Sequence, residues 1–217
     1  VDNGECRVTS ESILLVGAGG HAKACIDVIE QEGRFSVVGL VGQADEVGSL
    51  ILGYPVLGTD ADLPALLNKS RNALVTIGQV TSPELRRRLF KVLEQMGYNL
   101  PTVISPIAFV SPHAKIGVGS IIMHGAIVNA GAVVGRNCIL NSKALVEHDA
   151  IIGDHCHIST GALINGTAHI GTGTFVGSGS GVRQCLNVGE HSIIGMGQQV
   201  IVDCDAETRM PNLKESS

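Results

Sequence analysis

The residues best equipped for chemistry in this sequence are its eight histidines, His21, His113, His124, His148, His155, His157, His169 and His191. His148 stands apart because carboxylates flank it on both sides, Glu147 and Asp149. A carboxylate beside an imidazole fixes the ring tautomer and raises its basicity. A general base needs both properties to take a proton from an amine or a hydroxyl near neutral pH. The residues alone equally allow a solvated Glu-His-Asp turn. His157 follows nine residues later and reads, from its position, as a structural histidine. A different chemistry is suggested by Gly17-Ala18-Gly19-Gly20-His21, a glycine turn between an apolar run and a helical pattern. Backbone N–H groups at such a turn can approach a phosphate closely. The full G-x-G-x-x-G with an acidic residue about twenty positions on is missing, so binding of a nicotinamide dinucleotide has little support. Lys23 is the only basic side chain near the turn, which argues against nucleotidyltransferase chemistry there. None of the six cysteines, at 6, 25, 138, 156, 185 and 204, forms a C-x-x-C pair, so neither a zinc knuckle nor a thioredoxin-type motif is present. Cys138, Cys156 and Cys185 lack a base at motif spacing, which leaves no Cys nucleophile.

The elements that must position these groups change character near residue 102. Up to that point strand and helix alternate. Residues 13–17 (ILLVG) form an apolar run, and Ala22, Cys25, Ile26 and Ile29 then follow helical spacing until Gly33. Residues 36–41 and 73–78 read as further strands, and residues 60–69 as a short helix. A longer helix starts at Ser82-Pro83 and ends at Gly97, with Ser as cap and Pro in the first turn. Such alternation implies a parallel sheet with helices around it. Residues 1–11 carry no structural weight.

Beyond residue 102 a six-residue repeat takes over. Val110, Ile116, Ile122, Val128, Val134, Leu140, Val146, Ile152, Ile158, Ile164, Ile170, Val176, Val182, Val188, Ile194 and Val200 are all branched aliphatics, with no break in register. Two residues before each, the side chain is nearly always small, as at Ala126, Cys138, Ala144 and Cys156. Neither a helix nor a hairpin array has this period; a β-helix solenoid does. Three hexapeptides make one triangular coil of 18 residues, with the large aliphatic inside and coils stacked at about 4.8 Å. Sixteen hexapeptides give about five coils, a prism of roughly 25 Å. Cys138 and Cys156 should then stack as small residues in the wall.

Composition narrows the function. Six aromatics and a net charge of −5 cannot make a base-stacking, phosphate-tracking surface, which excludes nucleic acid. A 44% hydrophobic content excludes disorder. No apolar run reaches the roughly 18 residues that span a membrane, and no secretory signal is visible. Reduced thiols and a cytoplasmic location are expected.

The prism is similar to those of left-handed β-helix acyltransferases, usually trimers. The GAGGHAK turn, the stretch NSKALVEHDAIIGDHCHISTGALING and the hexapeptides together resemble, over about residues 12–200, the NeuD/PglD-like sugar acetyltransferases. That family holds sialic acid O-acetyltransferases and the bacterial enzyme that N-acetylates a UDP-linked 4-amino sugar on the way to bacillosamine. The resemblance implies an N-terminal α/β, Rossmann-like nucleotide-sugar-binding domain at 12–101. An all-β left-handed parallel β-helix acetyltransferase domain follows at 102–203, then a polar tail at 204–217. It implies acetyl-CoA as cosubstrate, no metal, and direct transfer of acetyl to the amino group of a UDP-4-amino-sugar in surface glycan biosynthesis. His148 would be the general base and Asp149 its support, one methylene shorter than the Glu expected of the amino-sugar enzyme. Asn141 would meet the sugar; His157, Ser178 and Met196 would meet acetyl-CoA, the last two through backbone atoms. Gly19, Gly20, His21 and Gly78 would meet the nucleotide-sugar, and sites would lie between subunits of a homotrimer. Asn141 also reads as a corner residue that accepts left-handed geometry.

Some features depart from the family pattern. Gly42-Gln43 stands where two acidic residues are expected for uridine, with Asp45 and Glu46 slightly later, and Gly78-Gln79 stands where Gly-Asn is usual. The end of the chain lacks the usual V-G-x-P-A-like segment. The alternatives are a sialic acid O-acetyltransferase and a non-catalytic sugar-binding or assembly solenoid. A metal site like that of the γ-carbonic anhydrases would need three well-placed histidines, and the spacing of His148, His155 and His157 does not match one.

Overall fold

The computed structural model describes residues 10–210. The first region is built from β1 (Glu11–Val16), α1 (Gly20–Glu32), β2 (Phe35–Val41), β3 (Leu50–Ile51), β4 (Tyr54–Gly58), α2 (Leu63–Leu66), β5 (Asn72–Val75) and α3 (Glu84–Gln95). The sheet order is β3-β4-β2-β1-β5, parallel except for the β3–β4 hairpin at one edge. That hairpin was not expected: a two-residue turn at Leu52-Gly53, both with positive φ, interrupts too short an apolar run to show a period. Glu11, given no weight in the sequence, opens β1, and Asn72 donates to its carboxylate. The helix faces are as the spacing requires: Ala22, Cys25, Ile26 and Ile29 of α1 are buried. In α3 the Ser82 hydroxyl accepts from the Glu84 N–H at 3.2 Å, and Gly97 turns the chain away at φ 83°.

Beyond these elements the chain winds into a left-handed β-helix of two-residue strands. They stack into three parallel sheets, the faces of a triangular prism. Partners lie 18 residues apart, as in Ile122–Leu140–Ile158–Val176–Ile194. The inward aliphatics from Ile122 to Val200 are buried, and Val110 and Ile116 pack half-buried at the first coil. Cys138 and Cys156 are free thiols in the wall, donating to the carbonyls of Gly153 and Gly171, each at 3.1 Å. From Gly119 to Gly197 each corner turns through one residue with positive φ, three after the inward aliphatic: Asn137, Lys143, Asp149, His155 and Thr167 among them, with Gly161 between the last two. Lys143, with φ 60°, takes this role where Asn141 was considered for it.

The coil runs past residue 203. Cys204 bridges Val188, and Arg209–Met210 pairs with Ile193–Ile194. Those offsets are 16 residues, so this last coil is two residues short and falls out of the six-step count. The expected polar tail at 204–217 therefore begins as a further rung; residues 211–217 lie outside the described residues, as does Cys6.

Both long helices of the first region seat it on the prism. Buried side chains of α1 join one core with Val103, Ile121, Met123 and Ile139, the outward residues of one face. Helix α3 lies along the neighbouring corner, with Phe90 against Gly119 and Arg86 against Asn137.

Candidate active site

The first cluster sits on the corner between the strands Leu145–Val146 and Ile151–Ile152. Val146 points in, then Glu147, His148 and Asp149 make the turn. Asp149 takes the positive-φ position at 59°, which bends its carboxylate back to the ring. His148 Nδ1 donates to Asp149 Oδ2 at 3.0 Å. A carboxylate can only accept, so Nδ1 carries the hydrogen and Nε2 presents a lone pair. Glu147 is not a partner of the ring; it accepts from Asn129 Nδ2 at 3.0 Å and from the His148 backbone N–H at 3.2 Å. The side chains of His148 and Asp149 are each 64% exposed. Glycines frame the pair one coil to either side. A methyl on Gly166 would lie 2.7 Å from His148 Nε2, and one on Gly131 would strike Asp149 Oδ1. The family-derived pairing of His148 with Asp149 is thus present in the geometry of one chain.

The second cluster lies on the face that the first region covers. His157 points outward from its strand into that interface and is 6% exposed. Its Nδ1 donates to the Gln79 carbonyl at 2.6 Å, and Asn141 Nδ2 lies 3.3 Å from its Nε2. Phe175 meets the ring edge-on at 5.3 Å, and the His21 ring is 6.3 Å away. Burial pushes His157 down to about 4; the Gln79 carbonyl works against this and the Arg86 cation adds to it. His21 is pushed down to about 3 by burial first, then by His157 and Arg86, and its buried Nε2 has no partner among the described residues. Gly78 lies against His21, with a methyl there in ordinary contact at 3.7 Å. Ser178 shares a hydrogen bond with Ser159 at 3.0 Å, and Met196 is exposed one coil beyond Ser178 on the same corner. His21, Gly78, Asn141 and His157 are therefore brought together, with Ser178 and Met196 on the corner that begins at Asn141. His148 and Asp149 are on a different corner, across the prism face of Leu145 and Leu163.

The glycine turn borders a pocket of about 250 Å³ at the end of the parallel sheet, lined also by Gly42, Gln43, Glu46 and Asp60. Gly17 holds φ 124°, and a methyl there would meet Ile77 at 2.5 Å. Gly19 and Gly20 face open space at the N-terminus of α1, the geometry that admits a phosphate. A larger cleft of about 550 Å³ between α3, Arg136 and His155 lies away from these groups and is lined by the ion pairs Arg87–Glu84 and Arg136–Glu94. Among the described residues, no three His, Cys, Asp or Glu side chains converge as a metal site.

Arg86 was not recognised in the sequence as part of this region, and Gln79 only as a departure from the usual Gly-Asn. Arg86 is 2% exposed and donates to Gln79 Oε1 at 3.1 Å and to Asn137 O at 2.7 Å. A signal was available: with Leu89, Phe90 and Leu93 it occupies the i, i+3, i+4, i+7 stripe of α3, where an arginine is out of place.

Comparison with known proteins adds an independent view. Residues 12–93 match the PglD N-terminal domain, and residues 131–166 match the bacterial transferase hexapeptide family of six repeats. No curated protein matches the sequence. The structure is similar to that of PerB from Caulobacter crescentus in complex with CoA and GDP-perosamine, with 30% identity over 93% of this chain and 94% of that one and a TM-score of 0.86. It is similar to the acetyltransferase domain of PglB from Neisseria gonorrhoeae in complex with acetyl coenzyme A, with 31% identity over 94% and 97% and a TM-score of 0.83. WeeI from Acinetobacter baumannii, 24% identical over 92% and 96% with a TM-score of 0.81, shares the fold.

Proposed function

We propose a defined reaction from one premise: the chain belongs to the PglD/NeuD-like family of sugar acetyltransferases and is an acetyl-CoA-dependent enzyme. The reaction is transfer of acetyl from acetyl-CoA to the amino group of a nucleotide-linked 4-amino sugar, in surface glycan biosynthesis. The observation that carries it is the His148–Asp149 pair on an exposed corner, which leaves Nε2 as a lone pair beside Gly166 of the next coil. The amine attacks the thioester carbonyl carbon while Nε2 takes one of its protons. The tetrahedral intermediate expels the CoA thiolate, which then receives that proton from the imidazolium. Thioesters are already activated, so holding the amine beside the acyl carbon and removing its proton supply most of the rate. Asp149 holds the tautomer and stabilises the imidazolium.

The acceptor is held at the other cluster. Gly19 and Gly20 receive the diphosphate, His21, Gly78 and Asn141 the sugar end, and His157, Ser178 and Met196 the acetyl-CoA. Because His148 stands on a separate corner, a complete site needs a second copy, and we place it between subunits of a homotrimer. In support, outward apolar side chains flank the His148 corner on both faces: Ile127 and Leu163 on one, Val133 and Ile151 on the other, all exposed in the single chain. Exposed apolar stripes of this kind mark association surfaces. Among the described residues no helix is long and apolar enough to cross a membrane, and we place the reaction in the cytoplasm.

A UDP-linked sugar is the first expectation. A GDP-linked one is the second reading, favoured by Gly42-Gln43 in place of an acidic pair and by the GDP-perosamine of PerB. CoA thiol release, measured against UDP-, GDP- and dTDP-linked amino sugars and against free and CMP-linked sialic acids, decides the acceptor. Turnover restricted to the nucleotide amino sugars is the expected result. Turnover restricted to the sialic acids would make the chain an O-acetyltransferase, and binding without turnover of any of them would favour a non-catalytic sugar-binding solenoid.

A further inference from the structure

Among the described residues, the buried Arg86 is a cation without a counterion. Its fork donates to neutral acceptors alone, Gln79 Oε1 and the carbonyl and side-chain oxygens of Asn137, and its Nε has no partner among the described residues. Burying a charge this way is costly, and an apolar residue at the same stripe position would pack α3 without that cost. What the arginine does can be followed bond by bond. Gln79, gripped through Oε1, also donates from Nε2 to the Gly173 carbonyl at 3.0 Å, which ties it to the prism. The backbone carbonyl of the same Gln79 is the acceptor for His157 Nδ1.

The tautomer of His157 is fixed from both ends. A carbonyl oxygen only accepts, so Nδ1 carries the hydrogen. On the other side Asn141 Oδ1 is occupied by the Ser142 N–H at 2.8 Å, which turns the Asn141 amide nitrogen toward Nε2. Nε2 is therefore an acceptor. We propose that Arg86 is a positioning residue that, by clamping Gln79 across the interface between α3 and the prism, locks His157 as a neutral Nδ1–H ring with its Nε2 lone pair turned to Asn141. The ring then serves as a fixed acceptor for Asn141 Nδ2, holding in place the amide assigned to the sugar, rather than as a second base. The groups that face it are His21 from α1, Arg86 from α3, the Gln79 carbonyl, and Asn141 and Phe175 from adjacent coils. The charge of Arg86 and the burial of the ring act in the same direction, against protonation.

This rests on the cofactor role given to His157 above, and long-range ¹H–¹⁵N NMR of the histidine rings in the ligand-free full chain separates the two. His157 is assigned by the signal lost in His157→Gln. In the unsubstituted protein its ring should show protonated Nδ1 and bare Nε2, unchanged from neutral pH to about 5.5. Arg86→Met should give mixed tautomers and about tenfold lower kcat/KM. Arg86→Lys, which keeps charge but not the planar fork, should hold the titration low and still lose the single tautomer. Should Arg86→Met not fold, Gln79→Met removes the clamp with Arg86 in place and should free the tautomer equally. Unchanged His157 signals in the folded variants would overturn the proposal. Altered signals with undiminished acetyl transfer would uphold it and overturn the cofactor role of His157.

Discussion

His148 and His157 lie nine residues apart on one prism, and the fold treats them in opposite ways. His148 sits on a bare corner, its ring exposed and its Nδ1 bound to a carboxylate. His157 is sealed beneath the first region, its Nδ1 bound to a neutral carbonyl with a buried cation nearby. A charged partner and solvent favour a ring that gains and loses a proton; burial and a cation favour one that never does. Three hexapeptides turn the chain full circle, so nine residues move a side chain from a corner of the prism to the wall opposite. The repeat that looks uniform in sequence places two identical side chains in two chemical roles.

The largest effect is expected of His148→Ala: about 10²- to 10⁴-fold lower kcat with little change in the KM for acetyl-CoA, measured by thiol release. Gly166→Ala comes next. Its backbone has no positive φ, so the added methyl displaces the imidazole rather than the chain, and a loss of about 10- to 100-fold in kcat should accompany an unchanged melting temperature. Asp149→Asn should cost about tenfold or more, because the amide no longer dictates which nitrogen carries the hydrogen. The smallest effect lies in stability. His157 and His21 stay neutral in the folded chain down to about 4 and about 3, against 6.5 for a free ring. Below about 6.5 the unfolded chain therefore binds more protons, and stability falls as pH drops through that window. Each ring contributes a slope of at most about 1.4 kcal/mol per pH unit, readable in urea melts at successive pH values.

The solenoid was legible because each inward site demands a branched aliphatic, and a strict period of six has no other structural meaning. The same rule lost the last rung, where a coil two residues short puts Cys204 at the place the count assigned to Ala206. The pair of His148 and Asp149 was visible because its two members are adjacent. Arg86 and Gln79 were not, since their partners Asn137 and Gly173 are 51 and 94 residues away and no local spacing encodes such contacts. What did remain local was an arginine in an apolar stripe.

The pH dependence of kcat, taken for the unsubstituted enzyme, His148→Ala and His157→Gln at saturating acetyl-CoA and acceptor, tests the division between the two rings most directly. The unsubstituted enzyme should lose rate toward acid, as general-base catalysis requires. That decline should persist in His157→Gln and be absent from the residual activity of His148→Ala. A decline that survives in His148→Ala and disappears in His157→Gln would contradict the account.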